Sequence, residues 1–472
     1  EKVIEHTDFG GLVESSEVAG PGFINIRLTN DAIVMQLEAM SGECLGVTPD
    51  IGTHPVAIDL CGVNVAKQLH VGHLRATIIG DTLARLFERL GRKVYRENHL
   101  GDWGLPIAMV LERLISNNVD LDSLSLHDLN IAYKDSQLEA CDDFSGVRAA
   151  ENLQSGPHRF AELEEQNIGA LEAQTKAKAV LNALQRGDES LHLQWEKLIG
   201  CTMRSVFASM DLLHVKIGPE HSRGESFYRG LLGSVVQEFK DSNLAVEDNG
   251  AMVVRFKNRE RPMLIQKSDG GYLYATTDLA AMKFRTQTLC ADTVIYVVDA
   301  RQRDHFKDLF DAAKLIGWDK TPDGGGVEFV HIPFGSVLGE DKKPLKTRSG
   351  SSVTLQSLLE EAIEKGTAEV IKRAENPKSP THTMSKEELA TIGRQIGIGA
   401  IKYADLAREL VRDYVFDMDR MVAFEGNTGP YIQYASARIS SLLRKGGGAT
   451  AGAPFILQQP QQPLLALPLL QY

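Results

Sequence analysis

Two imidazoles that flank a valine and a glycine give this chain its first candidate chemistry. They lie in Asn64-Val-Ala-Lys67-Gln-Leu-His70-Val-Gly72-His73, between an apolar run, Val56 to Leu60, and an amphipathic run from Leu74 to Leu90. A strand leading into a helix puts both histidines at a helix start, where N–H groups lack intrahelical partners and the dipole adds roughly half a positive charge. Gly72 has no Cβ to obstruct a ligand backing onto the turn. The imidazoles can donate to phosphate oxygens through bonds that strengthen as charge builds in a transition state. The turn is therefore expected to seat the phosphates of ATP, although a His-x-Gly-His quartet taken alone is more often an ordinary helix start.

Three further clusters carry polar groups that a core would not select. Asn98-His-Leu-Gly-Asp-Trp-Gly104 follows the second strand-like run and could be a plain polar turn. Ser268 to Asp278 turns through Gly270 and Gly271, passes Tyr274 and arrives at Asp278 before a helix, where an aspartate by itself is more often a cap than a ligand. Gly339 to Gly350 is a glycine-bounded basic loop containing Lys342, Lys343, Lys346, Thr347 and Arg348. Such a run is either a solvated turn or a mobile clamp that neutralises a triphosphate.

The elements that must position these groups alternate along the chain. Val56 to Leu60, Lys93 to Arg96, Thr293 to Val298 and Val327 to Phe334 read as strands; Leu74 to Leu90 and Asp304 to Ile316 have helical spacing. Met252 to Phe256 and Met263 to Lys267 suggest a hairpin or edge. Strand, helix, strand order implies parallel pairing, and hence an α/β doubly wound sheet that binds ligands at the carboxyl ends of its strands. From about Asp120 to His214 the sequence turns polar and helical, with breaks expected at Gly169 and Gly187, and reads as an inserted helical subdomain. Helical patterning resumes at Leu355, is interrupted from Asn376 to Pro380, and restarts at Ser385, a plausible N-cap backed by Glu387 and Glu388.

A chain of 472 residues with 43% apolar and 24% charged residues is an ordinary globular composition, large enough for two or more domains. No run approaches the roughly 20 apolar residues of a membrane span, and no signal-peptide pattern opens the chain, so an interior compartment is expected, the cytoplasm first with an organelle as the alternative. The five cysteines are widely spaced without a C-x-x-C pair, which argues against a zinc knuckle or a disulfide framework; no protein-bound metal is expected. A net charge of −12 means that any RNA contact must use a local patch.

Taken in order, these stretches resemble the class I aminoacyl-tRNA synthetases, and within them the arginyl-tRNA synthetases. The resemblance runs from about Glu14 to Lys445. It includes Ala19-Gly-Pro-Gly-Phe-Ile-Asn-Ile26, the histidine turn, Asn98 to Gly104, Gly224-Glu-Ser-Phe-Tyr228, Tyr274 to Asp278, Lys346 to Gly350, Ile401-Lys-Tyr-Ala-Asp-Leu406 and Gly426-Asn-Thr-Gly-Pro-Tyr431.

This resemblance implies a Rossmann-type catalytic domain over residues 31–410, with the helical insertion at about 120–214. It further implies a remnant of an N-terminal tRNA-contacting domain in 1–30 and the start of an anticodon-binding helical bundle in 411–445. The implied reaction is ATP-dependent formation of arginyl-adenylate, followed by transfer to the 3′ end of tRNA(Arg), with Mg²⁺ arriving on ATP. No membrane partner is expected; a monomer is one reading of an oligomeric state that the sequence leaves open. Asp278 stands where the family pairs a carboxylate with the planar donor fork of a guanidinium. Tyr274 and Gln302 would complete that pocket, Asp59 would hold the α-ammonium and Asn64 the α-carboxylate. His70, His73, Lys67, Lys346 and Arg348 are the expected catalytic groups, with Gly72, Lys343 and Thr347 also at ATP.

Two local departures stand out. The usual Lys-Met-Ser-Lys-Ser loop is replaced by Leu345-Lys-Thr-Arg-Ser349, for which Lys67 is taken to compensate, and Cys61-Gly62-Val63 stands where the family usually has Ser-Pro. From Gly446 to Tyr472 there is no charged residue, while four prolines and five glutamines interrupt short apolar stretches, so 446–472 is expected to be a disordered, non-family tail. The alternative function is a fragment that binds ATP and arginine without charging tRNA. A small nucleotidyltransferase would share the histidine motif but explains nothing after Asp278.

Overall fold

A computed structural model describes residues 6–42, 45–49, 52, 54–257, 259–343, 345, 353–447, 455–459 and 461–470. The chain forms two compact units, the smaller made of Glu1–Thr53, Leu86–Arg92 and Ser436–Tyr472. In it, β1 (Val13–Ala19) and β2 (Phe23–Leu28) form an antiparallel hairpin that turns through Gly20, Pro21 and Gly22. Helix α1 (Asn30–Met40) follows at once, because the hydroxyl of Thr29 accepts from the Ala32 N–H at 3.2 Å and starts the helix where β2 ends. A domain boundary at residue 30 therefore falls inside a unit that extends to Thr53.

The expectation of a disordered tail is overturned for Gln461–Leu470, a helix that packs against α1 and buries Ala466. Composition could not disclose this, since the helix depends on an apolar partner more than 400 residues earlier in the chain.

The larger unit is built on a five-stranded parallel sheet. Its strands are β3 (Val56–Asp59), β4 (Val94–Leu100), β5 (Ser222–Gly224), and, after a three-stranded antiparallel sheet β6 (Ala245–Asp248), β7 (Ala251–Val254) and β8 (Met263–Gln266), β9 (Thr293–Asp299) and β10 (Glu328–Phe334). The spatial order β10-β9-β3-β4-β5 places β3 at the centre. One crossover, α2 (Val71–Arg89), leads from β3 to β4, while α11 (Arg303–Leu315) leads from β9 outward to β10. The winding reverses between β3 and β9, and the crevice at their carboxyl ends is where such a sheet binds ligands. Val56, Ala57 and Ile58 are buried, as a strand covered on both faces requires.

Between β4 and β5 lies the helical insertion: α3 (Leu105–Ser116), α4 (Leu126–Glu139), α5 (Phe144–Asn152), α6 (Pro157–Gln185) and α7 (Glu189–Leu212). Helix α6 runs straight through Gly169, contrary to the expected break. An interior glycine costs about 1 kcal/mol, which burial of Leu163, Ala170, Ala177 and Leu184 along one stripe outweighs. Gly187, with φ of 87° after the helix end, does mark the turn into α7.

A short α8 (Glu225–Tyr228) and α9 (Leu232–Asp241) follow β5, and α10 (Tyr274–Lys283) precedes β9. Beyond β10, the two-residue strand β11 (Val337–Leu338) precedes α12 (Leu355–Ala374) and α13 (Lys386–Leu406). Ser385 caps α13 reciprocally with Glu388, as its sequence suggested. Strand β12 (Tyr414–Val415) pairs in parallel with β11, and the larger unit continues to Ala435, so a boundary at residue 410 cuts through it. The helix Gly429–Lys445 leaves Ile439, Leu442 and Leu443 exposed.

Candidate active site

Leu69 and His70 lead into α2 at the carboxyl end of β3, and the backbone there fixes both imidazoles. The Gly72 N–H donates to His70 Nδ1 at 3.0 Å, and the His70 N–H donates to His73 Nδ1 at 3.1 Å. Each Nδ1 is thereby an acceptor, so each neutral ring carries its proton on Nε2. The ring centroids stand 4.0 Å apart. Burial, then the neighbouring charges of His70 and Lys67, push His73 down to about 3, and burial with Lys67 also lowers His70. Two neutral Nε2–H donors beside a helix start suit an anion.

The structural reason for Gly72 differs from the expected one. A Cβ there would lie 2.7 Å from His70 Cε1 and 2.9 Å from Nδ1, so the glycine makes room for the imidazole rather than for a ligand.

Around this turn, Lys67 extends its ammonium to 4.4 Å from the Tyr133 ring of the insertion. Asn64 bridges to Gly101 at the end of β4. Cys61 and Gly62 have φ of 75° and 65°, the left-handed region that favours glycine. Lys343 is exposed in a turn closed by its own N–H to Asp341 at 3.0 Å. Lys346, Thr347 and Arg348 lie outside the described residues. The chain returning from that loop is bridged to the histidine turn, Thr354 to His70, with the Leu355 N–H donating to Leu69 O at 2.8 Å.

Across the carboxyl end of the sheet stand carboxylates. Asp278 lies inside α10, one turn beyond Tyr274, rather than capping it. Its Oδ2 is 2.7 Å from His305 Nε2 on α11 and its Oδ1 is 4.0 Å from His99 Nε2 at the end of β4; its side chain is 24% exposed. Tyr274 is exposed at the helix start, its ring 5.2 Å from that of His305. Gln302, also exposed, immediately precedes α11, three residues before His305.

Glu225, which sequence reasoning did not single out, opens α8 at the end of β5. Burial, followed by the charges of Asp102 and Asp278, pushes it up to about 7. Asp102 is fixed behind it, accepting from the Ser226 N–H at 3.0 Å and the Ser226 hydroxyl at 2.6 Å. A Cβ at Gly224 would lie 1.9 Å from Asp102 Oδ2, which accounts for that glycine. The only sequence signal for Glu225 was its place in Gly224-Glu-Ser-Phe-Tyr228; nothing marked His305. Three carboxylates crowded at one mouth attract a cation with several donors. Asp59, at the end of β3, faces an internal partner: its Oδ2 is 2.8 Å from Arg285 Nη2.

A doubly wound sheet with a His-x-Gly-His helix start at its reversal point defines the catalytic domain of the class I aminoacyl-tRNA synthetases. Residues 49–418 match the family described as tRNA synthetases class I (R), catalytic domain. An arginine–tRNA ligase of Photorhabdus laumondii is 39% identical, the match covering 100% of this chain and 77% of that protein. One from Klebsiella pneumoniae is 40% identical with the same coverage. The crystal structure of an arginyl-tRNA synthetase from Plasmodium falciparum superposes with a TM-score of 0.78 at 27% identity, covering 99% of this chain and 75% of that one. That of Thermus thermophilus, at 24% identity and a TM-score of 0.71, shares the fold. The chain belongs to the arginyl-tRNA synthetase family. The match over all of this chain includes the tail expected to lie outside the family.

Proposed function

We infer that this chain is an arginine–tRNA ligase. The arginine carboxylate attacks the α-phosphate of ATP, giving arginyl-adenylate and pyrophosphate; a terminal ribose hydroxyl of tRNA(Arg) then attacks the acyl carbon, its proton is lost and AMP departs. The observation that carries this reading is the placement of Asp278 and Glu225, two carboxylates that influence one another, at the same end of the sheet as the two Nε2–H donors. A pair of carboxylates suits a guanidinium, a planar fork of donors, better than a lysine ammonium, a point charge.

In this scheme Asp278 and Glu225 bind the guanidinium, with Tyr274 and Gln302 at the rim. Asp59 takes the α-ammonium and Asn64 the α-carboxylate. His70 and His73 donate to the phosphates, Gly72 keeps their rings in place, and Lys67, Lys343, Lys346, Thr347 and Arg348 supply further donors and positive charge as it shifts toward pyrophosphate. Mg²⁺ comes with ATP and neutralises its phosphates. Little covalent participation by protein is needed, so the rate derives from positioning and charge stabilisation. The protein works as a monomer in the cytoplasm, without a membrane partner; no described helix is long and apolar enough to cross one.

The test is aminoacylation of tRNA(Arg) with labelled arginine beside equilibrium binding of ATP and arginine. Charging of arginine supports ligase activity. Binding of both small substrates without charging supports the alternative, a binding fragment; charging of another amino acid in place of arginine refutes the substrate assignment.

A further inference from the structure

The amino-acid site adjoins a buried charge, Arg285, that takes no direct part in binding substrate. Arg285 is 1% exposed, among the most completely buried large side chains of the protein, and it sits in a π-helical turn, Phe284–Thr288, that continues α10 directly. Turns of this kind interrupt helices mostly where a side chain must be aimed. Here the guanidinium is aimed at the carboxyl ends of two central strands. Nη2 lies 2.8 Å from Asp59 Oδ2, Nε lies 3.9 Å from Glu97 Oε2, and the group stands 5.1 Å from the centre of the Tyr296 ring.

Burying a guanidinium is unfavourable unless the charges it meets require it, and an apolar side chain would fill the same core at less cost. Glu97 alone does not require it, because Arg223 already pairs with Glu97 at 2.5 Å. Among the ion pairs of the described residues, Asp59 has no cation but Arg285. Burial works against the charge of Arg285, and the negative field of Asp59 in turn holds its proton far above the ordinary range.

We propose that Arg285 is a positioning residue of the amino-acid site: it holds Oδ2 of Asp59, so that the carboxylate presents Oδ1 to the α-ammonium of the substrate. Asp278 lies two turns upstream on the same continuous helical segment, so a single element carries the carboxylate that meets the guanidinium and the guanidinium that sets the acceptor for the α-ammonium. The spacing between the two ends of the substrate is then fixed by one rigid piece of backbone. Ligands with a guanidinium but no amino group should be indifferent to Arg285.

This rests on the assignment of Asp59 to the α-ammonium, and the experiment separates the two. In the full chain, Arg285→Met and Arg285→Lys are compared with Asp59→Asn by equilibrium binding of three probes: arginine, agmatine, which keeps the amine and lacks the carboxylate, and 5-guanidinopentanoate, which keeps the carboxylate and lacks the amine. Loosening the acceptor of the α-ammonium predicts that Arg285→Met weakens arginine and agmatine roughly tenfold while 5-guanidinopentanoate changes by less than about twofold. Lysine retains the charge without the fork and should recover part of the loss for the two amines.

Should Arg285→Met not fold, the same selectivity is read from Arg285→Lys. Equal weakening of all three probes, or weakening of none, in the folded Arg285 variant overturns the proposal while leaving Asp59 assigned if Asp59→Asn remains selective for the amines. An Asp59→Asn variant that binds all three as the unmodified protein does overturns the assignment itself, and the proposal with it.

Discussion

The sharpest perturbation is Asp278→Asn. It keeps the size of the side chain and its place inside α10, and removes the charge expected to meet the substrate guanidinium. Asp278 is 24% exposed and shares its carboxylate with His305 at 2.7 Å, so it is partly solvated and partly committed, and the low end of the range for buried charged pairs applies. A hydrogen bond to a charged group contributes about 1.5–3 kcal/mol and loss of a partner in a buried pair about 2–5 kcal/mol, so about 2–3 kcal/mol is expected here. That corresponds to a rise of roughly 30- to 150-fold in the dissociation constant of arginine. The assay is isothermal calorimetry with arginine and with citrulline, its neutral ureido counterpart, at fixed pH and salt. Citrulline gains nothing from the charge, so its affinity should change by less than about threefold, and ATP binding should be unaffected. Parallel weakening of arginine and citrulline, or an arginine affinity that does not change, would show that Asp278 does not contact the guanidinium.

Three further outcomes are expected. Glu225, pushed up to about 7 chiefly by burial and then by Asp102 and Asp278, holds a proton below that pH and must release it to meet a cation. Arginine affinity should therefore rise about tenfold per unit as pH increases toward 7, then level off, and Glu225→Gln should flatten the curve measured by calorimetry from pH 5.5 to 8.5. Gly72→Ala would set a Cβ 2.7 Å from the His70 ring and turn that imidazole out of place; losing one such donor predicts a fall of roughly 10²- to 10³-fold in kcat for aminoacylation, with an unchanged Tm. Arg75 is buried with its Nε 2.9 Å from Asp405 and Nη1 2.8 Å from the Gly335 carbonyl, so Arg75→Ala should cost about 3–5 kcal/mol in urea unfolding of the full chain.

Much of the framework was legible in the sequence, because periodicity is local. Val56 to Leu60 and Thr293 to Val298 read as buried strands, and Ser385 with Glu387 and Glu388 behind it read as a helix start. The alternation of these segments required a parallel sheet, and a parallel sheet located the site at its carboxyl ends before any distance was known. Helix continuity was less legible where packing overrode propensity, as at Gly169, and the helix Gln461–Leu470 was hidden because its partner α1 lies at the other end of the chain.

The chemistry divides the same way. Residue types and spacing alone indicated that His70 and His73 would flank a helix start, since a turn of helix is a property of the backbone, whereas Asp278, read as preceding a helix, lies inside α10 one turn beyond Tyr274. Only the tertiary structure decided that β3, β4, β5 and α10 converge, which brings Asp59, His99, Glu225 and Asp278 to one mouth from positions spread over more than 200 residues of chain. It also decided that Arg285 would point inward. The field that raises Glu225 and the charge that anchors Asp59 both come from groups distant in sequence, and an electrostatic interaction depends on separation in space and on the water excluded around it, neither of which a linear pattern records.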